Sequence, residues 1–206
     1  MLSRPRSLLY LSLVSAALAG LTACGEPARE SSEPASAPPA SSTGSPSATT
    51  VDRGRFIVEI GGCHDCHTPK KLGPNGPEPD MSRMLSGHPE TLAVTTRFQP
   101  AGATWTAATN DMLTAWSGPW GVSFAINLTP DPNTGLRSGV WTEALFIQAM
   151  RTGKHMGTAR PILPPMPWQA LGRLSDEDLK AVWEYLGTVP PIVNHVPDAM
   201  PPAGAN

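Results

Sequence analysis

The chain has no basic run or stripe. Its 15 Lys and Arg are interspersed with 17 Asp and Glu, so nothing in it is organised to hold nucleic-acid phosphates. Long apolar runs are missing too: Leu8-Leu9-Tyr10-Leu11-Ser12-Leu13-Val14 is short and quickly interrupted, too little for a comfortable membrane span. From Gly25 to about Thr50 there is no aromatic residue and no Leu, Ile or Val, and Ser, Pro, Ala, Thr and Glu dominate. Such a stretch cannot bury enough apolar surface to offset its ordering entropy, and it is expected to be a disordered tether. Its r.m.s. span as a flexible chain would be ~25 to 30 Å, lengthened by its prolines. Cysteine is scarce, with Cys24, Cys63 and Cys66 making up the whole supply.

What is present begins with an export signal. Met1 to Ala23 carries Arg4 and Arg6, then the apolar run, then small residues. It ends in Leu21-Thr22-Ala23-Cys24, which resembles the lipobox of bacterial lipoproteins. That resemblance implies cleavage before Cys24, a thioether-linked diacylglycerol on its sulfur and an acylated amino group. Gly25 in place of Asp is compatible, by the same resemblance, with sorting to an outer membrane. The plainer alternative is a secreted protein with a stray Cys. Loss of the leader removes Arg4 and Arg6 and no acid, leaving 13 basic against 17 acidic residues and a formal charge of −4. Several acyl chains, at ~0.8 kcal/mol per buried CH₂, exceed what merely reversible binding needs. The expected location is the periplasmic side of a bacterial membrane, held by lipid.

Cys63-His64-Asp65-Cys66-His67 is the stretch around which the rest is organised. Cys-x-x-Cys-His is the pattern of covalent c-type haem attachment. Two thiols on one turn can each add to a porphyrin vinyl group, and the following His comes round beneath the iron. Cys-x-x-Cys alone also serves zinc and thiol redox chemistry. Zinc would want a second ligand pair, and a redox dithiol has no need of His67. With Cys24 lipidated and Cys63 and Cys66 on one haem c, no thiol remains for a disulfide.

The remainder reads as one small domain. Asp52–Gly62 is a helix candidate with Phe56, Ile57 and Ile60 on one face, ended by Gly61-Gly62; Gly54 within it points to a close approach by an element from the far end of the domain. Thr68 to Ser123 is rich in Pro and Gly and reads as loops and short turns, with a brief strand at Leu92–Phe98. Trp105, Trp116 and Trp120 read as core or haem-lining residues, and His88 as a surface or hydrogen-bonded residue. Asn127 to Gly135 reads as consecutive turns. Thr142 can cap a helix to Arg151, stopped by Gly153 and leaning on the porphyrin. Pro164-Pro165-Met166-Pro167 removes backbone donors and holds a thioether in place, which makes Met166 the candidate sixth iron ligand, with Met156 and His155 as the alternatives. Ser175 opens a last helix through Leu179, Val182, Trp183 and Leu186. The tail beyond Pro191, with His195 and Met200, is expected to wrap the surface.

A helix leading into Cys-x-x-Cys-His, a Pro-flanked Met and an amphipathic last helix ending in Tyr185-Leu186 resemble class I cytochromes c. Asn127-Leu128-Thr129-Pro130-Asp131, Trp141-Thr142, Phe146, Arg151 and Pro165-Met166-Pro167-Trp168 extend the likeness to the cytochrome c subunits of membrane-bound alcohol and gluconate-type dehydrogenases. Those subunits commonly carry three haem modules, whereas this chain has one attachment motif. The resemblance implies a mainly α fold, a small helical domain wrapped around one covalent haem with a long loop-rich insertion. With the leader and the tether, the chain divides into a signal (1–23), the lipidated tether (24–50), the cytochrome c domain (51–200) and a tail (201–206), the resemblance spanning about residues 52 to 190. The resemblance implies Cys63 and Cys66 as thioether sites, His67 and Met166 as axial ligands, and a backbone carbonyl, expected at Pro130, accepting from the other His67 nitrogen.

The implied role is electron transfer, without catalysis, between a periplasmic or membrane-bound dehydrogenase and the respiratory chain. Its partners would be a dehydrogenase, an oxidase or another cytochrome. A haem enzyme or gas sensor with an open or labile sixth site is the reading from another class, motivated by the long segment between His67 and Met166. A third is a structural subunit whose core the haem enlarges.

Overall fold

The computed structural model describes residues 47–98 and 105–204. The leader, Cys24 and the tether as far as residue 46 lie outside the described residues. Among the described residues no helix is long and apolar enough to cross a membrane.

Helix α1 spans Ala48–Ile60, starting within the stretch read as tether because the Ser47 side chain accepts a hydrogen bond from the Thr50 N–H and caps it. Its buried residues are Gly54, Ile57 and Val58. The expected face of Phe56, Ile57 and Ile60 is therefore rotated: Phe56 and Ile60 are exposed. The reason is Gly54. The last helix, α5 (Asp176–Leu186), presses its Ala181 carbonyl and Tyr185 Cβ where a Gly54 side chain would be, so the contact stripe is centred on the glycine rather than on the bulkiest residues. Arg53 and Asp178 tie the same pair of helices, with Nε to Oδ1 at 2.7 Å. Helix α5 begins at the Ser175 cap, whose hydroxyl accepts from the Asp178 N–H, and it buries Leu179, Ala181, Val182, Trp183 and Leu186.

Between these two helices in the chain lie α2 (Cys63–His67), α3 (Glu143–Thr152) and the single turn α4 (Trp168–Leu171). Thr142 caps α3 by accepting from the Leu145 N–H, and Gly153 closes it. Phe146 on α3 meets the Trp183 ring with centroids 5.7 Å apart, and the Arg137 guanidinium lies over Trp183 at 4.1 Å from its centroid.

The mainly α expectation gives way to a mixed architecture. A hairpin, β1 (Lys70–Gly73) with β2 (Gly76–Pro79), follows the Cys-x-x-Cys-His turn directly, in the register Lys70↔Pro79. A three-stranded antiparallel sheet, in the order β3 (Ala108–Thr109), β4 (Ala115–Gly118), β5 (Gly121–Phe124), precedes the Asn127 turns. Leu92–Phe98 is not a strand. The edge of β4 away from β5 is taken by β3, and the Phe98 N–H donates instead to the Ser117 hydroxyl at 2.9 Å. Trp105 is exposed rather than core. His88 is fully buried, with its ring nitrogens 2.9 Å from Thr114 Oγ1 and 2.9 Å from the Leu92 carbonyl, so the hydrogen-bonded alternative holds and the surface one does not.

The end of the chain does more than wrap the surface. Met200 pairs with Val122, adding a bridge to the free edge of β5. Asn194 is buried and donates to the Ser86 and His88 carbonyls while accepting from the Glu90 N–H.

Candidate functional site

Gly61 and Gly62 turn the chain out of α1 and into α2. Gly62 has φ of 68°, the left-handed region, and a side chain there would meet Asp65 Oδ2. The turn delivers Cys63, Cys66 and His67 to one cavity of about 360 Å³. The wall also carries Met166 in its proline loop, and Phe146, Met150, Leu179, Val182 and Leu186 complete a largely apolar lining. Of the other ligand candidates, His155 is on this wall, edge-on to Trp141 at 4.9 Å, while Met156 is not among the lining residues.

His67 is buried, and its Nδ1 lies 2.8 Å from the Ile126 carbonyl. A carbonyl only accepts, so Nδ1 carries the proton and Nε2 is left with its lone pair free. Burial holds the imidazole pKa below its ordinary value, which keeps that lone pair available at neutral pH. The acceptor is Ile126, not Pro130. Residues 125–128 run beside 85–88, with the His88 N–H on the Ala125 carbonyl at 2.8 Å and the Leu128 N–H on the Leu85 carbonyl at 2.9 Å. Gly87 N–H in turn donates to the His67 carbonyl. The segment read as an insertion is thus the brace that carries Ile126 to His67. Ile126 stands just before the Asn127 motif, and no sequence signal singles it out.

The Asn127 turns form one oriented network. The Ile192 N–H donates to the Thr129 hydroxyl (3.2 Å), which donates to Asn127 Oδ1 (2.7 Å). Asn127 Nδ2 donates to the Ile192 carbonyl (2.8 Å) and to the Thr134 hydroxyl (3.2 Å), and that hydroxyl donates to Asp131 Oδ1 (2.7 Å). The Thr134 hydroxyl, helped by the Thr134 and Asn133 N–H groups, holds the buried Asp131 carboxyl below the usual carboxylate range. A depressed native pKa stabilises the fold above the unfolded value, and this stability is lost as pH falls through the native one. Melting of wild type and Asp131→Asn should therefore differ at neutral pH, with wild type higher, and the gap should close as the pH drops below about 4. A gap that persists in acid would remove the carboxylate from the account.

Both thiols are pushed up in pKa by burial, Cys63 to about 11. That is the reverse of a redox-active dithiol, which needs a stabilised thiolate. Among the described residues no group of three or more His, Cys, Asp or Glu side chains is arranged to hold a metal ion directly. The donor set is instead two thiols on one turn beside an apolar slot, an imidazole fixed by a carbonyl, and a thioether among prolines. This chemistry fits a haem, whose apolar ring would face the apolar wall and whose iron would find the free Nε2.

The site has the donor set of a c-type haem pocket, and comparison with known proteins points the same way. No protein-family model matches the chain. It is similar to the cytochrome c subunit of quinone alcohol dehydrogenase from Gluconobacter oxydans, 34% identical over 151 residues, 72% of this chain and 24% of that protein. It is also similar to the fructose dehydrogenase cytochrome subunit of Gluconobacter japonicus, 36% identical over 74 residues, 36% of this chain and 15% of that protein. A nicotinate dehydrogenase subunit from Pseudomonas putida is 28% identical over 187 residues, 91% of this chain and 12% of that protein. The chain thus spans between about an eighth and a quarter of these relatives' own lengths. Two of these three relatives are named as cytochrome subunits of dehydrogenases, and the similarity links the chain to them.

Proposed function

We propose that this chain is a lipid-anchored, single-haem c-type cytochrome that carries electrons from a periplasmic or membrane-bound dehydrogenase to the respiratory chain. The observation that carries this is the convergence of Cys63, Cys66, a carbonyl-fixed His67 and Met166 on one apolar cavity. The haem, when bound, supplies the one-electron couple. Cys63 and Cys66 would hold it covalently, His67 would ligate through Nε2, and Met166 would offer a soft neutral sulfur that favours the reduced state and raises the potential. The apolar wall excludes water and so limits rearrangement between oxidation states. Cys24 and the tether would keep the domain within a few nanometres of its membrane, raising the effective concentration of partners there. The dehydrogenase relatives support the donor side of this reading.

Visible spectra of ferric and ferrous protein test it. Wild type should be low-spin with a weak red sulfur-to-iron charge-transfer band, and Met166→Ala should lose that band and admit carbon monoxide when reduced. A high-spin or bis-imidazole spectrum unmoved by the substitution would replace Met166 as the ligand and bring forward the enzyme or sensor reading, with His155 as the next axial candidate.

A further inference from the structure

The loop that presents Met166 is poor in its own fastenings. Pro164, Pro165 and Pro167 have no N–H, and the bonds from Met166 N–H to the Leu163 carbonyl and from Trp168 N–H to the Met166 carbonyl stay inside the loop and its exit. Among the described residues a single side-chain donor from another element reaches residues 163–167: the Ser123 hydroxyl, which donates to the Pro164 carbonyl. The Trp116 carbonyl, at 3.4 Å, is a much weaker competitor for that proton. Ser123 lies on β5, is 8% exposed, and accepts from Trp120 Nε1 at 3.2 Å, so its hydroxyl is held from both sides. Three residues on, the same segment offers the Ile126 carbonyl to His67. Ser123 and Ile126 both line the cavity.

We propose that Ser123 is a positioning residue for Met166. The stretch 123–126 grips the His67 side by a main-chain acceptor and the Met166 loop by a side-chain donor, so one short stretch of chain sets the separation of His67 and Met166. The Ser123 hydroxyl would thereby control how often the thioether leaves the iron. This rests on the His67/Met166 reading above. Loss of one buried hydrogen bond of this kind should raise the population of the Met-off form about two- to tenfold.

The test uses the full-length holoprotein as wild type, Ser123→Ala, Ser123→Thr and Val122→Ala. The readouts are the charge-transfer band, the rate of carbon monoxide binding to the reduced protein, and Tm. Ser123→Ala should weaken the band and speed carbon monoxide binding about two- to tenfold, while Ser123→Thr, which keeps the hydroxyl, should stay near wild type. Val122 is buried on the same strand, and its main chain pairs with Met200 rather than with the Met166 loop. Val122→Ala should therefore lower Tm and leave the rate unchanged. If Ser123→Ala does not fold, Ser123→Cys keeps a similar volume with a weaker donor and carries the same expectation. A Ser123→Ala rate equal to wild type overturns the proposal, as does an equal acceleration by Val122→Ala, which would mean general loosening. A wild type that already lacks the band overturns the axial pair itself, and Ser123's role with it.

Discussion

Gly54→Ala should destabilise the protein by about 2 kcal/mol or more, although alanine is the better helix former by about 1 kcal/mol. The added methyl would fall on the Ala181 carbonyl and 2.8 Å from Tyr185 Cβ. Overpacking a tight contact costs about 1 to 3 kcal/mol, and more where the obstacle is main chain that cannot rotate away. For a chain of this size, 2 kcal/mol is a drop of roughly 4 to 8 °C in Tm. Relief by Tyr185→Ala should be slight, because the Ala181 carbonyl and the Cβ of residue 185 both remain. Full recovery in the double variant would show that a side chain, not the backbone of α5, sets the helix separation. The spectrum should shift little if α1 and α5 merely part, since neither holds an axial group.

Asn127→Ala should be worse, at about 3 kcal/mol, or roughly 6 to 12 °C in Tm. Removing the amide strands the Thr129 N–H, which donates to Asn127 Oδ1, and leaves the Thr129 hydroxyl, as a donor, and the Ile192 carbonyl with only their weaker mutual bond at 3.3 Å. Buried groups left without partners cost more than the bond they lose was worth. The change also sits beside Ile126, the acceptor for His67, so the holoprotein should show a broadened or mixed axial spectrum at temperatures well below Tm. Loss of stability with an unaltered spectrum would separate the Asn127 network from the haem site.

The helical frame is legible in the sequence because its signals are local. Ser175, Thr142 and Gly153 announce helix ends by their own chemistry, and Gly54 announces an approach that α5 makes. The cavity-facing placement of Cys63, Cys66, His67 and Met166 is likewise what a motif and a proline cluster lead one to expect. The sheets are not legible. Strands of two to four residues are too short for alternation to show, and prolines that argue against strands stand here at β2 and in the β4–β5 turn. The identity of the His67 acceptor is out of reach for another reason: it is a main-chain group, so its residue type carries no mark. Phe56 and Ile60 mislead because hydrophobicity locates a stripe only when the contact is made by side chains, and here it is made by the absence of one.

The cavity wall draws on Ile57 near one end of the domain and on Pro197 and Ala199 near the other. No amino-terminal portion of the domain can therefore enclose the pocket, however well its helices form. As the polypeptide emerges, Cys63 and Cys66 appear early, and the last strip of wall, clipped down by the Val122–Met200 pairing, arrives late. The thiols thus pass through a stage in which they stand on an unfinished, open cleft. A bulky planar group laid in from the side at that stage would be sealed over afterwards by the carboxy-terminal strip of wall.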